Sequence, residues 1–169
     1  HGEPASIWLS DKAILDGSKP IRGGIPLCWP WFGPSPARVG SGKPAHGFAR
    51  TSLWTLDGVS DHGDGTLVHL SLRDSDASRA LWPHAFELEL DVLVGKELSL
   101  VLTTRNTGKA PLTYNAALHT YLQISAPDAV AVTGLGEPYL DKLTGQTERQ
   151  QGPLRVTAAM DRIYRQPDA

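Results

Sequence analysis

Two of the six histidines stand in segments where an imidazole could carry acid–base chemistry. His119 lies in the middle of "NAALHTYL", residues 115–122, and His46 lies in "PAHGFAR", residues 44–50. Histidine ordinarily titrates near neutrality, so its side chain can donate or accept a proton at physiological pH. Each also has an ordinary interpretation: His119 could be a solvated side chain on a sheet face, and His46 a loop residue hydrogen-bonded to backbone.

The segment around His119 is predicted to be a β-strand over residues 112–124. Successive side chains of a strand point to opposite faces of the sheet. One face is polar and suits a groove that binds a polar molecule; its members are Asn115, Ala117, His119, Tyr121 and Gln123. The other face is predicted to belong to the core; its members are Leu118, Thr120, Leu122 and Ile124.

Motifs of several other chemistries are missing from the sequence. No histidine pair has the HxH or HxxxH spacing of a metal site, and no nearby carboxylate completes a ligand pattern. There is no GxSxG turn for a serine nucleophile and no glycine-rich phosphate loop followed by a helix. Cys28 has no base near it in sequence, so we expect a small buried side chain rather than a nucleophile. We expect no metal site.

The composition is that of an ordinary globular protein: of 169 residues, 40% are hydrophobic and 20% are charged. The net charge of −2 gives no reason to expect nucleic acid or an anionic membrane surface as a partner. No apolar run is long enough to span a membrane, and a single cysteine excludes an internal disulfide. We expect one domain, residues 1–169, in the reducing cytoplasm. The start without methionine and the strand-like "RIY" at the end also predict a piece of a longer polypeptide.

Strands rather than helices are predicted for most of the chain. Apolar and polar residues alternate in "FELELDVLV" and "LSLVLTTRN", and a short polar break separates these two runs. Only residues 75–81 favour a helix, and no strand–helix rhythm indicates a parallel sheet. The sequence therefore predicts an all-β fold, an antiparallel sandwich or barrel. Its strands are expected at 6–9, 52–58, 66–73, 86–93, 97–105, 112–124 and 129–133.

One long segment rich in glycine and proline, residues 19–50, does not follow the strand rhythm. A stretch of this length without regular structure is usually either functional or disordered. Disorder is disfavoured because the segment holds many apolar side chains that need burial. We expect an ordered loop that forms one wall of a site and is packed by Ile25, Leu27, Trp29, Trp31 and Phe32.

Six motifs occur in a fixed order along the chain: "IRGGIPLCWPWFG", "KPAHGFAR", "LWPHAFELEL", "NAALHTYL", "YLDKL" and "DRIY". Each alone is a weak signal, but six in register from about Ile7 to Tyr164 are specific. Together they resemble the hexose-6-phosphate mutarotase branch of the aldose 1-epimerase (galactose mutarotase-like) family. The resemblance implies a β-supersandwich of two large antiparallel sheets, with a sugar groove on the concave face of one sheet.

The resemblance also implies a reaction: interconversion of the α and β anomers of a hexose 6-phosphate such as glucose 6-phosphate, without a cofactor. A base removes the proton of the C1 hydroxyl, an acid protonates the ring oxygen, and the opened sugar closes on its other face. Carried over motif by motif, the general acid is His119, and the substrate-binding residues are Arg22, His46, Arg50 and Asp161. Arginine suits the phosphate because a guanidinium can form two parallel bonds to an anion.

Two departures from the family pattern affect this carry-over. The family's general base is a glutamate on a later strand, and neither Glu137 nor Glu148 lies in the matching motif. We therefore expect little or no catalysis from this chain alone. The second departure is Ala45, which stands where relatives have a glutamine. Asp141 of "YLDKL" is a weaker candidate for binding a sugar hydroxyl, and its alternative role is to cap a turn. The alternative function is a non-catalytic carbohydrate-binding domain of the same fold.

Overall fold

The computed structural model of the protein describes residues 5–63 and 65–165. These residues divide into two compact units. The larger unit is Leu9–Tyr121, and the smaller unit combines residues 5–8 with residues 122–165. Each unit has antiparallel strand pairs of its own. The predicted all-β, antiparallel fold class is confirmed.

The larger unit is organised around a four-stranded antiparallel sheet in the order β2-β3-β4-β5. Its regular elements in chain order are β1 (Leu27–Cys28), a 3-10 helix (Ala49–Thr51), β2 (Thr55–His62), β3 (Gly65–Arg73), α1 (Asp76–Leu81), β4 (Phe86–Val94), β5 (Leu98–Asn106) and β6 (Ala117–Leu118). β1 pairs with β6 as a separate two-stranded sheet.

Period-two alternation gives the four-stranded sheet one apolar and one charged face. Leu70 on β3 is opposite Leu90 on β4, which in turn is opposite Leu102 on β5. The neighbouring positions carry charge: His69 is opposite Asp91 on the other face. A one-residue slip would exchange the two faces, so the burial of the leucines fixes the register of the sheet.

The apolar face of the sheet is covered by the long loop predicted at residues 19–50. Trp29 is fully buried, and its ring lies 4.6 Å from that of Phe86 and 5.1 Å from that of Trp82, between ring centres. The edge-to-face contact with Trp82 is the geometry that aromatic quadrupoles favour. An ordered, aromatic-packed loop is thus confirmed. The buried core cluster consists of Leu27, Trp29, Trp31, Phe48, Ala49, Trp82, Phe86, Leu88 and Leu90.

The one predicted helix, at residues 75–81, is confirmed as α1, which begins one residue later. Ser75 is its N-cap, and its hydroxyl accepts a hydrogen bond from the backbone N–H of Ser78. The Ser78 hydroxyl in turn accepts from the N–H of Ser75, which completes a capping box. Pro83 follows directly after the C-cap residue Trp82 and prevents the helix from continuing.

The smaller unit consists of short strands. β8 (Tyr139–Asp141) lies between β9 (Thr147–Glu148) and β11 (Arg162–Tyr164). β7 (Ala131–Val132) pairs with β10 (Leu154–Arg155), and a 3-10 helix, Pro127–Ala129, precedes β7. Side-chain bonds add to the backbone pairing: the Tyr139 hydroxyl donates to Glu148 over 2.7 Å.

The predicted strands at 66–73, 86–93 and 97–105 are confirmed to within one residue at each end. Other predictions are wrong in extent. The strand expected at 52–58 starts later because the 3-10 helix before it ends in a bond from Ser52 N–H to the Ala49 carbonyl. Residues 6–9 form only isolated bridges, and residues 129–133 only the two-residue β7.

Candidate functional site

A strip of backbone pairing along β1 and β6 forms the base of the candidate site. Beside the strand pair, the N–H of His119 donates to the carbonyl of Pro26 over 3.1 Å. Farther along, the N–H of Asn115 donates to the carbonyl of Pro30 over 3.2 Å. The segment that carries His119 is therefore fixed directly against the proline-rich loop.

The strand predicted at 112–124 is wrong in extent, since only Ala117–Leu118 has strand pairing. The partner segment explains the difference. A proline has no N–H, so Pro26 and Pro30 accept hydrogen bonds from the second segment but cannot return them. A regular ladder cannot extend through these positions.

Local alternation still separates the side chains around His119. The rings of His119 and Tyr121 lie on one side, 4.9 Å apart between centres, and both residues are half-buried. Leu118, Leu122 and Ile124, predicted to be core, are exposed. The prediction that these three side chains are buried is wrong, because no other described residue of the same unit covers them.

Three rings converge above this backbone strip, those of Phe32, His46 and His119. The ring centres of His46 and His119 are 6.2 Å apart. The Phe32 ring centre is 4.9 Å from that of His46 and 6.3 Å from that of His119. We refer to these residues as the three-ring cluster. It brings together the two histidines that the sequence singles out, although a long stretch of chain separates them.

His46 has a constrained backbone at this point. Its φ of 65° lies in the left-handed region, and the next residue, Gly47, has a φ of 69°. The turn lets the backbone N–H of Phe48 reach the Trp29 carbonyl at 3.0 Å. A side chain at Gly47 would meet backbone, because its Cβ would lie 2.0 Å from the Trp29 carbonyl oxygen.

Two hydrogen bonds tie His46 to Gly33 on the facing part of the loop. The His46 N–H donates to the Gly33 carbonyl over 2.7 Å, and the Gly33 N–H donates to Nδ1 of the imidazole over 3.1 Å. Since Nδ1 accepts, the neutral ring carries its proton on Nε2. The donor nitrogen of His46 is therefore the one that points away from Gly33.

The two candidate arginines have different surroundings. Arg22 is exposed, and its guanidinium has no hydrogen-bond partner among the described residues. Arg50 is half-buried; its Nη2 donates to the Ala45 carbonyl over 3.0 Å, while its Nε is buried without a partner in the described chain. Arg50 borders a cavity of about 340 Å³, which His46 and His119 do not line.

The two candidate aspartates belong to the smaller unit. Asp161 is exposed, and its carboxylate lies 2.6 Å from Nζ of Lys142. Asp141 is buried, and its Oδ1 accepts the backbone N–H groups of Leu143 and Thr144. Asp141 therefore caps a turn, which is the alternative role considered for it.

Sequence comparison identifies the family of the chain. The pattern of the family described as aldose 1-epimerase matches residues 2–167. The chain belongs to the aldose 1-epimerase family. A protein of Escherichia coli K12, provisionally named glucose-6-phosphate 1-epimerase, is 36% identical over 168 residues, which are 98% of this chain and 55% of that protein. A protein of Cenchrus ciliaris with the same provisional name is 36% identical over 94% of this chain and 50% of its own length.

Solved structures agree with the family assignment. The Salmonella typhimurium protein YeaD, described provisionally as a mutarotase, superposes with a TM-score of 0.89 at 33% identity. It is matched over 99% of this chain and 55% of its own chain. Slr1438 from Synechocystis superposes with a TM-score of 0.83 at 25% identity, over 93% of this chain and 57% of its own. The chain thus spans about half the length of the curated relatives it matches.

Two features of the candidate site do not follow from the sequence. The sequence predicts that Phe32 is buried with its aromatic neighbours, but it is 46% exposed, whereas Trp31 is 1% exposed. Alternation places Asn115 on the polar face but predicts no contact for its side chain. In the structure its Oδ1 accepts a hydrogen bond from the backbone N–H of Phe32 over 2.7 Å. The alternation that selects His119 therefore also marks Asn115, but only the fold shows what its side chain bonds.

The other reactive side chains of the larger unit have structural roles. Cys28 is buried as predicted, and burial raises the pKa of its thiol, with the Arg50 charge opposing. The ring of His84 packs against that of Trp82, 4.3 Å between centres. His69 pairs with Asp91 on the charged face of the sheet.

The described residues were also compared with the requirements of a metal-ligand cluster and of a membrane-spanning helix. Across residues 5–63 and 65–165, no group of three or more histidine, cysteine or acidic side chains could hold a metal ion. None of the helices in the described part of the chain is long and apolar enough to cross a membrane.

Proposed function

We propose that this chain forms the acid half of a mutarotase site that interconverts the α and β anomers of a hexose 6-phosphate. The observation that carries the proposal is the pair of imidazoles, His46 and His119, 6.2 Å apart between ring centres and side by side with an exposed aromatic ring. Family membership supplies the reaction class, and relatives provisionally named glucose-6-phosphate 1-epimerase supply the substrate.

In the proposed mechanism His119 is the general acid. A base removes the C1 hydroxyl proton, the C1–O5 bond breaks, and His119 gives its proton to the ring oxygen as the carbonyl forms at C1. Rotation about the C1–C2 bond and closure on the other carbonyl face return the ring-oxygen proton to His119 and the base's proton to the C1 oxygen, which yields the other anomer. Net protons and electrons are unchanged, so the reaction consumes no co-reactant.

His46 has a supporting role in this proposal. Its Nδ1 accepts from the Gly33 N–H, so a substrate oxygen would be bound by its Nε2–H. A neutral donor beside the acid can hold a sugar hydroxyl without competing for the proton that His119 transfers. His46 is therefore assigned to substrate binding.

Arg22 and Arg50 are proposed to bind the 6-phosphate or the hydroxyls nearest to it. The Arg22 guanidinium has no hydrogen-bond partner among the described residues, and that of Arg50 has only the Ala45 carbonyl, so both have N–H donors to offer an anion. Asp161 is proposed as an acceptor for a sugar hydroxyl. Its present partner is Lys142, and such an exposed ion pair contributes little energy, so the exchange of partners costs little.

No residue of this chain is assigned as the general base. Loss of one partner of an acid–base pair reduces the rate by on the order of 10²–10⁴. We therefore propose that the chain by itself binds hexose 6-phosphates and accelerates their anomer exchange weakly. The alternative, a non-catalytic carbohydrate-binding domain, predicts the same binding and no acceleration.

The test measures binding and exchange separately on the 169-residue chain. Binding is followed by NMR with 1,5-anhydroglucitol 6-phosphate, which has no C1 hydroxyl and cannot open; exchange is followed with glucose 6-phosphate. We expect the analogue to shift the imidazole signals of His46 and His119. We expect His119→Gln to abolish whatever acceleration the chain provides. His62→Gln, at an exposed histidine at the end of β2, is the matched control and should change neither quantity.

Three results would change the proposal. Absence of analogue binding would contradict the substrate assignment. Acceleration that survives His119→Gln would contradict the acid role. Binding without any acceleration in the unmodified chain would make the carbohydrate-binding alternative the function.

A further inference from the structure

Phe32 is an exposed aromatic residue whose backbone is held unusually firmly. Its own N–H donates to Oδ1 of Asn115 over 2.7 Å. The next residue is held on both sides: the Gly33 N–H donates to Nδ1 of His46, and the Gly33 carbonyl accepts the His46 N–H. Three hydrogen bonds thus fix two consecutive residues, while the Phe32 side chain itself remains 46% exposed.

Core packing does not account for this arrangement. The neighbouring Trp29 and Trp31 are buried and contribute to the core, whereas Phe32 is about half exposed to water and its ring lies beside the two imidazoles. An isolated exposed aromatic would need no explanation. An aromatic ring held beside two candidate substrate-binding histidines, however, can contact the substrate that they bind.

We infer that Phe32 is the platform on which the apolar face of the pyranose ring stacks, and that Asn115 is the residue that positions it. This inference rests on the proposed function. The face of a phenyl ring carries negative charge density and attracts the weakly positive C–H groups of a sugar face. The two imidazole centres lie 4.9 Å and 6.3 Å from the Phe32 centre, so the oxygens of a stacked pyranose come within hydrogen-bonding reach of them.

Stacking on Phe32 and contacts to the phosphate should affect the two ligands differently. The ring contributes equally to the binding of a sugar with or without its phosphate. We expect Phe32→Ala to weaken the binding of 1,5-anhydroglucitol and of its 6-phosphate by the same factor, about tenfold. Phe32→Trp should retain affinity, and Phe32→Leu, which keeps apolar volume but has no aromatic face, should lie between the alanine and tryptophan variants.

Asn115 acts through Phe32 and is tested by rescue. Asn115→Leu removes the acceptor for the Phe32 N–H and should reduce affinity for both ligands about as much as Phe32→Ala. Asn115→Asp keeps a carbonyl-type oxygen at the same place and should therefore retain most of the affinity for both ligands. In the double variant with Phe32→Ala, Asn115→Leu should have no further effect on binding. Val101→Ala, at an exposed position of β5, is the control for loss of an apolar side chain.

The outcomes separate this inference from the proposed function. If the chain accelerates anomer exchange and binds the analogue, but Phe32→Ala leaves both affinities unchanged, the platform is wrong and the proposed function stands. If affinity depends on Phe32 as described but no exchange is accelerated, the platform stands and the catalytic proposal fails. Absence of analogue binding by the unmodified chain, or equal affinities for the Leu and Trp variants, would overturn the platform.

Discussion

The backbone N–H of Gly33 donates to Nδ1 of His46 over 3.1 Å, and this one bond decides which imidazole nitrogen carries the proton. A neutral imidazole has one donor and one acceptor nitrogen, and here the acceptor is already engaged. We expect the neutral His46 ring to be the Nε2–H tautomer. Correlation of ring nitrogens with ring protons by NMR in ¹⁵N-labelled protein reports the tautomer directly, and a signal for Nδ1–H would contradict the assignment.

Gly47 is required by the turn that places His46. An alanine there would bring its Cβ to 2.0 Å from the Trp29 carbonyl oxygen, at a φ of 69° that alanine disfavours. We expect Gly47→Ala to lower the free energy of unfolding by about 3 kcal/mol or more, since backbone and not a flexible side chain opposes the methyl group. Denaturant unfolding measures this.

Gly17→Ala is the matched control for this change. Gly17 also has a positive φ, 80°, but nothing lies within 4 Å of the position that an added methyl group would take. Only the conformational preference is lost there, which costs about 1 kcal/mol. If the two substitutions lower the free energy of unfolding equally, the φ preference, and not the contact with Trp29, determines the requirement for glycine at Gly47.

The physical reason for each success of the sequence prediction is local. The strands at 66–73, 86–93 and 97–105 follow from alternation, because one face of the sheet packs on the core and the other meets water. The same rule fails around His119, where the pairing partner contains prolines that cannot return a bond. Propensity along one segment carries no information about the segment it pairs with.

In the candidate site, too, the residue types can be predicted from the sequence but their contacts cannot. The types of His46 and His119 are visible in the sequence, but their proximity depends on the contact between the loop and β6. Phe32 looks like Trp29 and Trp31 in sequence, since all three are aromatic residues of one loop; only the fold distinguishes the exposed ring from the buried ones. Burial of a loop residue depends on contacts distant in sequence, which composition cannot supply.

Stability should depend on pH through His69 on the charged face of the sheet. Its Nδ1 lies 2.5 Å from Oδ1 of Asp91, and this hydrogen bond is the main cause that raises the pKa of His69 above its ordinary 6.5. Asp57 and Glu89 add to the rise, and desolvation opposes it. A raised pKa in the folded state means that the pair stabilises the fold fully at pH below about 6.5 and loses that contribution as pH rises through the folded-state pKa.

The free energy of unfolding should therefore decline between about pH 6 and 9, and Asp91→Asn should make this decline smaller. NMR titration should place the His69 midpoint above that of a free histidine and lower it in the variant. The effect is small because the two side chains are 40% and 44% exposed, so water screens their interaction. A His69 midpoint that does not move in Asp91→Asn would contradict the assigned cause.

Cys28 should be unreactive in the folded protein. It is buried, and burial raises the pKa of its thiol, so little thiolate is present at neutral pH and reagents cannot reach it. We expect a disulfide reagent to modify Cys28 at the rate of unfolding rather than at the rate of a free thiol. Fast modification under native conditions, compared with the same protein in denaturant, would show that the loop opens over Cys28.

The proposed phosphate contacts are tested by substitutions that keep the charge. Arg22→Lys and Arg50→Lys retain a cation but lose the planar fork that binds two phosphate oxygens at once. We expect each to weaken binding of 1,5-anhydroglucitol 6-phosphate by about tenfold and to leave the unphosphorylated sugar within about twofold, since charge-assisted bonds contribute roughly 1.5–3 kcal/mol. Isothermal calorimetry compares the two ligands on the same protein.

Arg38→Lys, at an exposed arginine of the same loop, is the control and should change neither affinity. If Arg50→Lys weakens both ligands equally, Arg50 binds sugar hydroxyls rather than the phosphate. If neither substitution affects either ligand, the arginines lie outside the site. Any preference for a phosphorylated hexose would then have to come from residues other than Arg22 and Arg50.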